Sequence, residues 1–293
     1  MKALVFCNGG CWGKATIQMG RILEITSLQI VKWQKFWYAY GRLAFYCEGI
    51  QMSANEVVVS SWPDLMEQLF VDSWNPEIMR HRSPYAFRGL SDTGYALSTR
   101  LMRLGGDYAC LEKHLLRNFR KYALSDVPKE DSFWKWLAIA QHHGLPTRLL
   151  DWTFSPLVAT HFATRDLERY DVDGAIWCVN FIETNKILPK KLQHLLDIDG
   201  ALNLTIEMLD KAVNSLTEFD SLAHESFTVF LDPPSLDGRI VNQYVLFSMM
   251  SNPRALLNDW LESRPKLFRK IVIPARLKWE IRDKLDKANI TER

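Results

Sequence analysis

Between residues 108 and 181 the apolar residues switch period repeatedly, and this alternation restricts the fold more than any other feature. The run YACLEKHLLRNFRKYAL (108–124) has apolar residues at helical spacing with basic ones between them, which predicts an amphipathic helix. DSFWKWLAIAQHHG (131–144) predicts a second, capped by Asp131 or Ser132 and ended by Gly144. LPTRLLDWT reads as a short extended segment. SPLVATHFATRDLERY then reads as a helix with proline near its first position, and GAIWCVNF as a buried strand. Upstream, a Val-rich strand, a helix over about 62–72 capped by Ser61 or Asp64, and a strand ending at Phe87-Arg88-Gly89 are expected. Downstream, residues 186–224 read as helical. FTVFLDPP and GRIVNQYVLFSMM read as strands joined by a Pro-Pro turn, followed by the strand KIVIPA and a final amphipathic helix. Strands and helices mixed in this order give an α+β fold, with small mixed sheets flanked by helices.

The rest of the composition mainly excludes. Five cysteines, mostly far apart, point to free thiols in a reducing compartment; Cys7 and Cys11 could form half a zinc site, but no second cysteine or histidine pair follows at ligand spacing, so no metal is expected. No apolar run reaches the length of a membrane span, and the N-terminus lacks the pattern of a signal peptide, so a cytoplasmic protein with no membrane partner is expected. A formal charge of +2 announces no global field for nucleic acid. Eleven tryptophans suggest large aromatic contacts in a core or at a partner surface. Residues 1–51 hold neither a sustained helical nor a sustained strand period, and ordinary patterning begins at Met52. Glu48-Gly49 can be encoded by a ribosome-binding sequence just before Met52. The expected organisation is therefore an N-terminal extension, 1–51, upstream of a natural start, and a single domain over 52–293.

Chemistry concentrates in AQHHGLPTRLLDWTFSPLVATHFA (140–163), where polar and ionisable residues crowd a turn between apolar helices. Part of this has a plain structural explanation: Ser155 or Thr153 as a helix cap, and Asp151 as an ion-pair partner of Arg148. His142 and His143 are adjacent on a helix and diverge by about 100°, which disfavours one shared metal ion. There is no Gly-x-Ser-x-Gly elbow, P-loop or Gly-x-Gly-x-x-Gly, so an esterase triad, ATP and a Rossmann-bound dinucleotide are not favoured.

Three blocks, YAFRGL, QHHGLPTRLLDWTFSPLVATHFA and GRIVNQYVLF, resemble the signature blocks of the FRG domain family. The resemblance spans roughly 60–291. In the last block the position that is usually glycine in the family is Val245. The block order is also similar to that of ADP-ribosyltransferases, which implies a split β-sandwich, NAD as substrate and no metal. On that comparison Arg88 ends the first strand and holds NAD, Asp151–Ser155 forms the second element, and Gln243 stands where a glutamate is usual. The catalytic set implied is Gln243, Asp151 and Arg148. The NAD-binding set is Arg88, Gly89, His143, Thr147, Thr153 and Ser155.

These roles have a physical rationale. A guanidinium fork suits pyrophosphate, and a glycine beside it admits close backbone approach. Thr153 and Ser155 can donate to ribose or phosphate beside a helix N-terminus, and Tyr85, Trp152 or Phe154 can stack on nicotinamide. Glutamine cannot act as a base near neutral pH, so Asp151 or Glu225 would supply the carboxylate. The family resemblance further implies a bacterial toxin of a toxin–antitoxin or anti-phage system, restrained by a cognate antitoxin. Its acceptor would be macromolecular, with single-stranded nucleic acid, RNA first, ahead of protein. The basic helix 113–121, with Arg100 and Arg103 upstream, can line such a groove or be a solvated face. Two other readings stand beside this one: a non-catalytic nucleotide- or partner-binding module, and a nuclease toxin using His143 and Asp151.

Overall fold

The computed structural model describes residues 3–4, 14–15, 55–123, 132–234 and 244–291. Contacts divide the chain into two units, Met1–Gln51 and Met52–Arg293. In the first, Ala3–Leu4 pairs antiparallel with Lys14–Ala15. The second carries mixed α/β structure, as the alternating periods predict.

Its sheet has eight strands: β1 (Glu56–Val58), β2 (Tyr85–Leu90), β3 (Leu149–Thr153), β4 (Gly174–Asn180), β5 (Leu204–Thr205), β6 (Thr228–Asp232), β7 (Val245–Met250) and β8 (Phe268–Ile273). The spatial order is β1-β8-β4-β2-β3-β7-β6-β5. The two edge pairs, β1–β8 and β5–β6, are parallel and all other pairs are antiparallel. A small hairpin, Trp74–Asn75 with Arg80–His81, forms a separate two-stranded sheet.

Ten helices complete the described residues: α1 (Trp62–Phe70), α2 (Tyr108–Tyr122), α3 (Phe133–His142), α4 (Pro156–Thr164), α5 (Phe181–Asn185), α6 (Lys190–Asp199), α7 (Ile206–Ala212), α8 (Leu216–Asp220), α9 (Leu257–Glu262) and α10 (Lys278–Lys287). The caps resolve in favour of serine. Ser61, Ser132 and Ser155 each accept a bond from the backbone N–H three residues on, at 3.4, 3.1 and 3.4 Å. Asp64 instead accepts from Ser60. Gly144 follows α3 with φ of +83°, a conformation that glycine adopts without steric penalty.

Period-two alternation in the strands sorts the core into three clusters. Tyr85 and Phe87 of β2, Ile176 and Cys178 of β4, and Ile271 and Ile273 of β8 pack under α1, α4 and α10. Ala86, Leu90, Trp177 and Val179 face the other way, onto Leu150, Trp152, Phe230, Leu246 and α9. Leu149, Val229, Leu231, Phe247 and Met249 pack under α3, α6, α7 and α8. Trp134 shows why tryptophan suits these layers: its ring is buried, and its Nε1 donates to Val213 O at 2.6 Å.

The weak point of the sheet is its middle. β2 and β3 share a single bridge, Phe87 with Thr153, whereas β2 pairs with β4 over six residues and β3 with β7 over five. Beyond that bridge the two half-sheets part, and the wedge between them is open.

A carboxylate at the end of β6 makes one pH-dependent prediction. Burial pushes the Asp232 carboxyl up from its ordinary 3.8 to about 6. The folded form therefore binds more protons than the unfolded one between these values. Stability falls as pH rises through that window and is level above it. Asp232→Asn should stabilise the protein by about 2 kcal/mol near neutral pH and by little below about pH 4. Thermal unfolding at both pH values checks this; a pH-independent effect would contradict it.

Candidate functional site

The wedge beside the Phe87–Thr153 bridge is a cleft of about 620 Å³. β2 contributes Arg88, which lies mid-seam because the strand continues past the bridge while its partner turns away. Its Nη1 donates to the backbone carbonyl of Asp151 across the gap. Its Nε is shut off from solvent and meets no acceptor among the described residues. Burial, first of all, pulls the guanidinium down from 12.5 to about 10; Arg103 and Arg165 push the same way, against the Asp151 carboxylate. The group stays charged at neutral pH, and the Asp151 carboxylate offsets its burial only in part.

Three more guanidiniums, Arg100, Arg103 and Arg165, line the same cleft. Arg103 is held by Ser98, through Oγ at 3.4 Å and the backbone carbonyl at 3.2 Å. Arg165 lies over the Phe162 ring at 5.0 Å. None of the four arginines forms an ion pair among the described residues, whereas Arg148, Arg254 and Arg282 elsewhere all do. A concave site with unneutralised forks is built for an anion.

Two carboxylates line the cleft with these cations, Asp151 and Asp166. Asp166 accepts from Glu168 N at 3.2 Å, and Asp151 is oriented through a short relay. The Gln141 side-chain amide donates to Asp151 Oδ1 at 2.9 Å. Gln141 is itself fixed by the Thr147 hydroxyl, which donates to its Oε1 at 2.6 Å and accepts from Leu149 N at 3.1 Å. Both Gln141 and Thr147 are buried, so the relay is rigid while Asp151 is exposed to the cleft. This arrangement can bind a phosphate-bearing ligand and offer it one carboxylate as a base.

The structure brings Arg88, Asp151 and Thr153 to this cleft. Gly89 lines it too, yet its lack of a side chain serves packing, because a Cβ there would lie 1.8 Å from Ala159 O of α4. Thr147 acts from behind, through Gln141. Ser155 caps α4. Arg148 points away, into a buried ion pair with Glu112 at 2.7 Å and Asp220 at 2.5 Å, so its partner is not Asp151. His143 packs on Phe119, and it is His142 that reaches the cleft. Glu225 is exposed near Arg264. Tyr85 bonds Asp72, Phe154 packs on Phe181, and Trp152 bonds Ser248 with its ring against Phe230. Gln243 lies outside the described residues. Val245 opens β7 opposite Thr153, as regular strand rather than a turn. Sequence reasoning missed Gln141, which opens the signature block, and Arg165, which lies just past it; their positions at helix ends bring them to the seam.

Fold and site together define a mixed α/β protein with an arginine-lined cleft at the seam of its sheet. Residues 83–171, which include all four cleft arginines and Asp151, match the family model of the FRG domain. No curated protein and no solved structure matches the chain.

Proposed function

We propose that this protein is an NAD-dependent ADP-ribosyltransferase that modifies a macromolecular acceptor, in the setting of a toxin restrained by a cognate antitoxin. The observation that carries the reading is the enclosed Arg88, with one Nε unsatisfied, set opposite a carboxylate held by Gln141. Charge-assisted bonds from the part of the guanidinium that meets the cleft to pyrophosphate would offset the burial of Arg88. The elements that the resemblance assigns to the site, β2 and β3 for NAD and the late strand β7 for the usual glutamate, are neighbours in the sheet, which supports the same reading.

In this reaction the bond between nicotinamide and ribose C1′ breaks, and its electron pair leaves with nicotinamide. The acceptor nucleophile bonds to C1′, and its proton passes to Asp151. Arg88 holds the substrate's phosphates, and Gln141 keeps the Asp151 carboxylate aimed into the cleft. A pure binding module would share Arg88 but has no need of an oriented carboxylate. The nuclease reading needs His143 beside Asp151, and His143 packs on Phe119 instead.

The test is transfer of label from adenylate-labelled NAD to components of a cell extract. Asp151→Asn keeps an acceptor for the Gln141 amide and removes the base, so transfer should fall about 10²–10⁴-fold. Undiminished transfer by that variant would overturn the role of Asp151. Absence of transfer by the unmodified protein, with intact ligand binding, would favour the module.

A further inference from the structure

The cleft holds more positive charge than one pyrophosphate needs, and that charge continues beyond it. Arg100 and Arg103 stand at the cleft on the segment that leads through a short turn of helix, Met102–Leu104, into α2. On α2 the basic residues Lys113, His114, Arg117 and Lys121 are all exposed. The helix has one acidic residue, Glu112, and it is buried and bonded to Arg148. The outward face of α2 is therefore free of acidic groups, unlike a solvated surface helix with mixed signs. Flat aromatic faces lie along the same path: Tyr95 is exposed at the cleft, Phe162 sits under Arg165, and Tyr122 is exposed beside Lys121.

We infer that the acceptor is a single-stranded nucleic acid, with its phosphodiester backbone tracked by α2, Arg100 and Arg103 and its bases stacking on Tyr95 at the cleft mouth. This rests on the transferase reading of the cleft. Phosphate charges meet the guanidinium and ammonium groups, and every base offers a face to an aromatic ring. A duplex hides those faces. An acidic polypeptide satisfies the charges but leaves the aromatic faces without stacking partners.

The inference is tested by binding of a fluorescent single-stranded oligonucleotide across a salt series, in parallel with nicotinamide release from NAD. The variant is Arg117→Ala with Lys121→Ala, both on the exposed face of α2 and outside the cleft. Its oligonucleotide affinity should fall roughly tenfold at low salt, and the slope of log K against log salt should shrink by about 1.4, at about 0.7 per lost phosphate contact. Its thermal midpoint and its nicotinamide release should be unchanged. A matched duplex and polyglutamate should compete more weakly than unlabelled single strand.

Nicotinamide release with no oligonucleotide binding overturns the inference and leaves the transferase reading intact. Equal binding by variant and unmodified protein, or stronger competition by polyglutamate, also overturns it. Salt-dependent binding weakened by the variant, without turnover of NAD, supports the track and contradicts the transferase reading.

Discussion

Gly89→Ala should lower stability by about 3 kcal/mol or more, with a fall in thermal midpoint of roughly 6–12 °C. The cause is the approach of α4 to β2. A methyl on residue 89 would lie 1.8 Å from Ala159 O and 2.7 Å from Ala163 N, both backbone atoms. No rotamer change relieves such an overlap; the helix itself has to move. A Cβ at Gly174, on the neighbouring strand β4, would lie 2.8 Å from Ala163 O, so α4 lies against both strands. Because the clash is with backbone, Ala159→Gly should not rescue Gly89→Ala. Urea and thermal unfolding of the single and double variants decide this, and an unchanged midpoint for Gly89→Ala would refute the packing argument.

Arg148→Ala is expected to cost about 3–5 kcal/mol, since it strands a buried charge. Glu112 is 2% exposed and Arg148 5%, and the pair is closed at 2.7 Å. Burial, above all, pushes the Glu112 carboxyl up, while Arg148 pulls it back down. The Arg148 backbone N–H also donates to Glu112 Oε1 at 3.2 Å, so this carboxylate ties α2 to the residue that precedes β3. Replacing Arg148 and its buried partner with apolar residues, Arg148→Met with Glu112→Leu, should be milder than the single change, since the carboxylate then left unpaired, Asp220, is one-third exposed. An Arg148→Ala variant within about 1 kcal/mol of the parent would show that the pair is dispensable.

These two residues also show what the sequence could and could not reveal. The strands and helices followed from period and caps, because burial on one face imposes a repeat that survives in the text. Arg148 and Asp151 look like partners in LPTRLLDWT, three residues apart. In an extended chain an odd separation puts them on opposite faces, and the structure does so. Gly89 advertised close approach, but the sequence does not say whether a ligand or a helix approaches. His142 and His143 differ only in where they fall at the end of α3. The relay through Gln141 depends on a buried threonine six residues later, a contact fixed by tertiary packing that no local pattern encodes.

The seam explains why the site sits where it does. A sheet continuous from β1 to β5 would pair the backbone of Asp151 with β2 and leave no cavity. With one bridge between the halves, a guanidinium bonds the carbonyl that strand pairing leaves open, and a cleft forms beside it. Arg88 thus lies where stability gains little from it: largely enclosed, partly unsatisfied, and close to Arg103 and Arg165 as well as to Asp151.

Calorimetric titration of NAD into the purified protein and into Arg88→Ala tests that placement most directly. Saturable binding is expected, weakened about ten- to a hundredfold by the substitution as charge-assisted bonds are lost, with the unfolding midpoint unchanged or raised. Equal affinity of the two proteins for NAD, or no binding to either, would contradict the assignment of Arg88 to the phosphates of NAD.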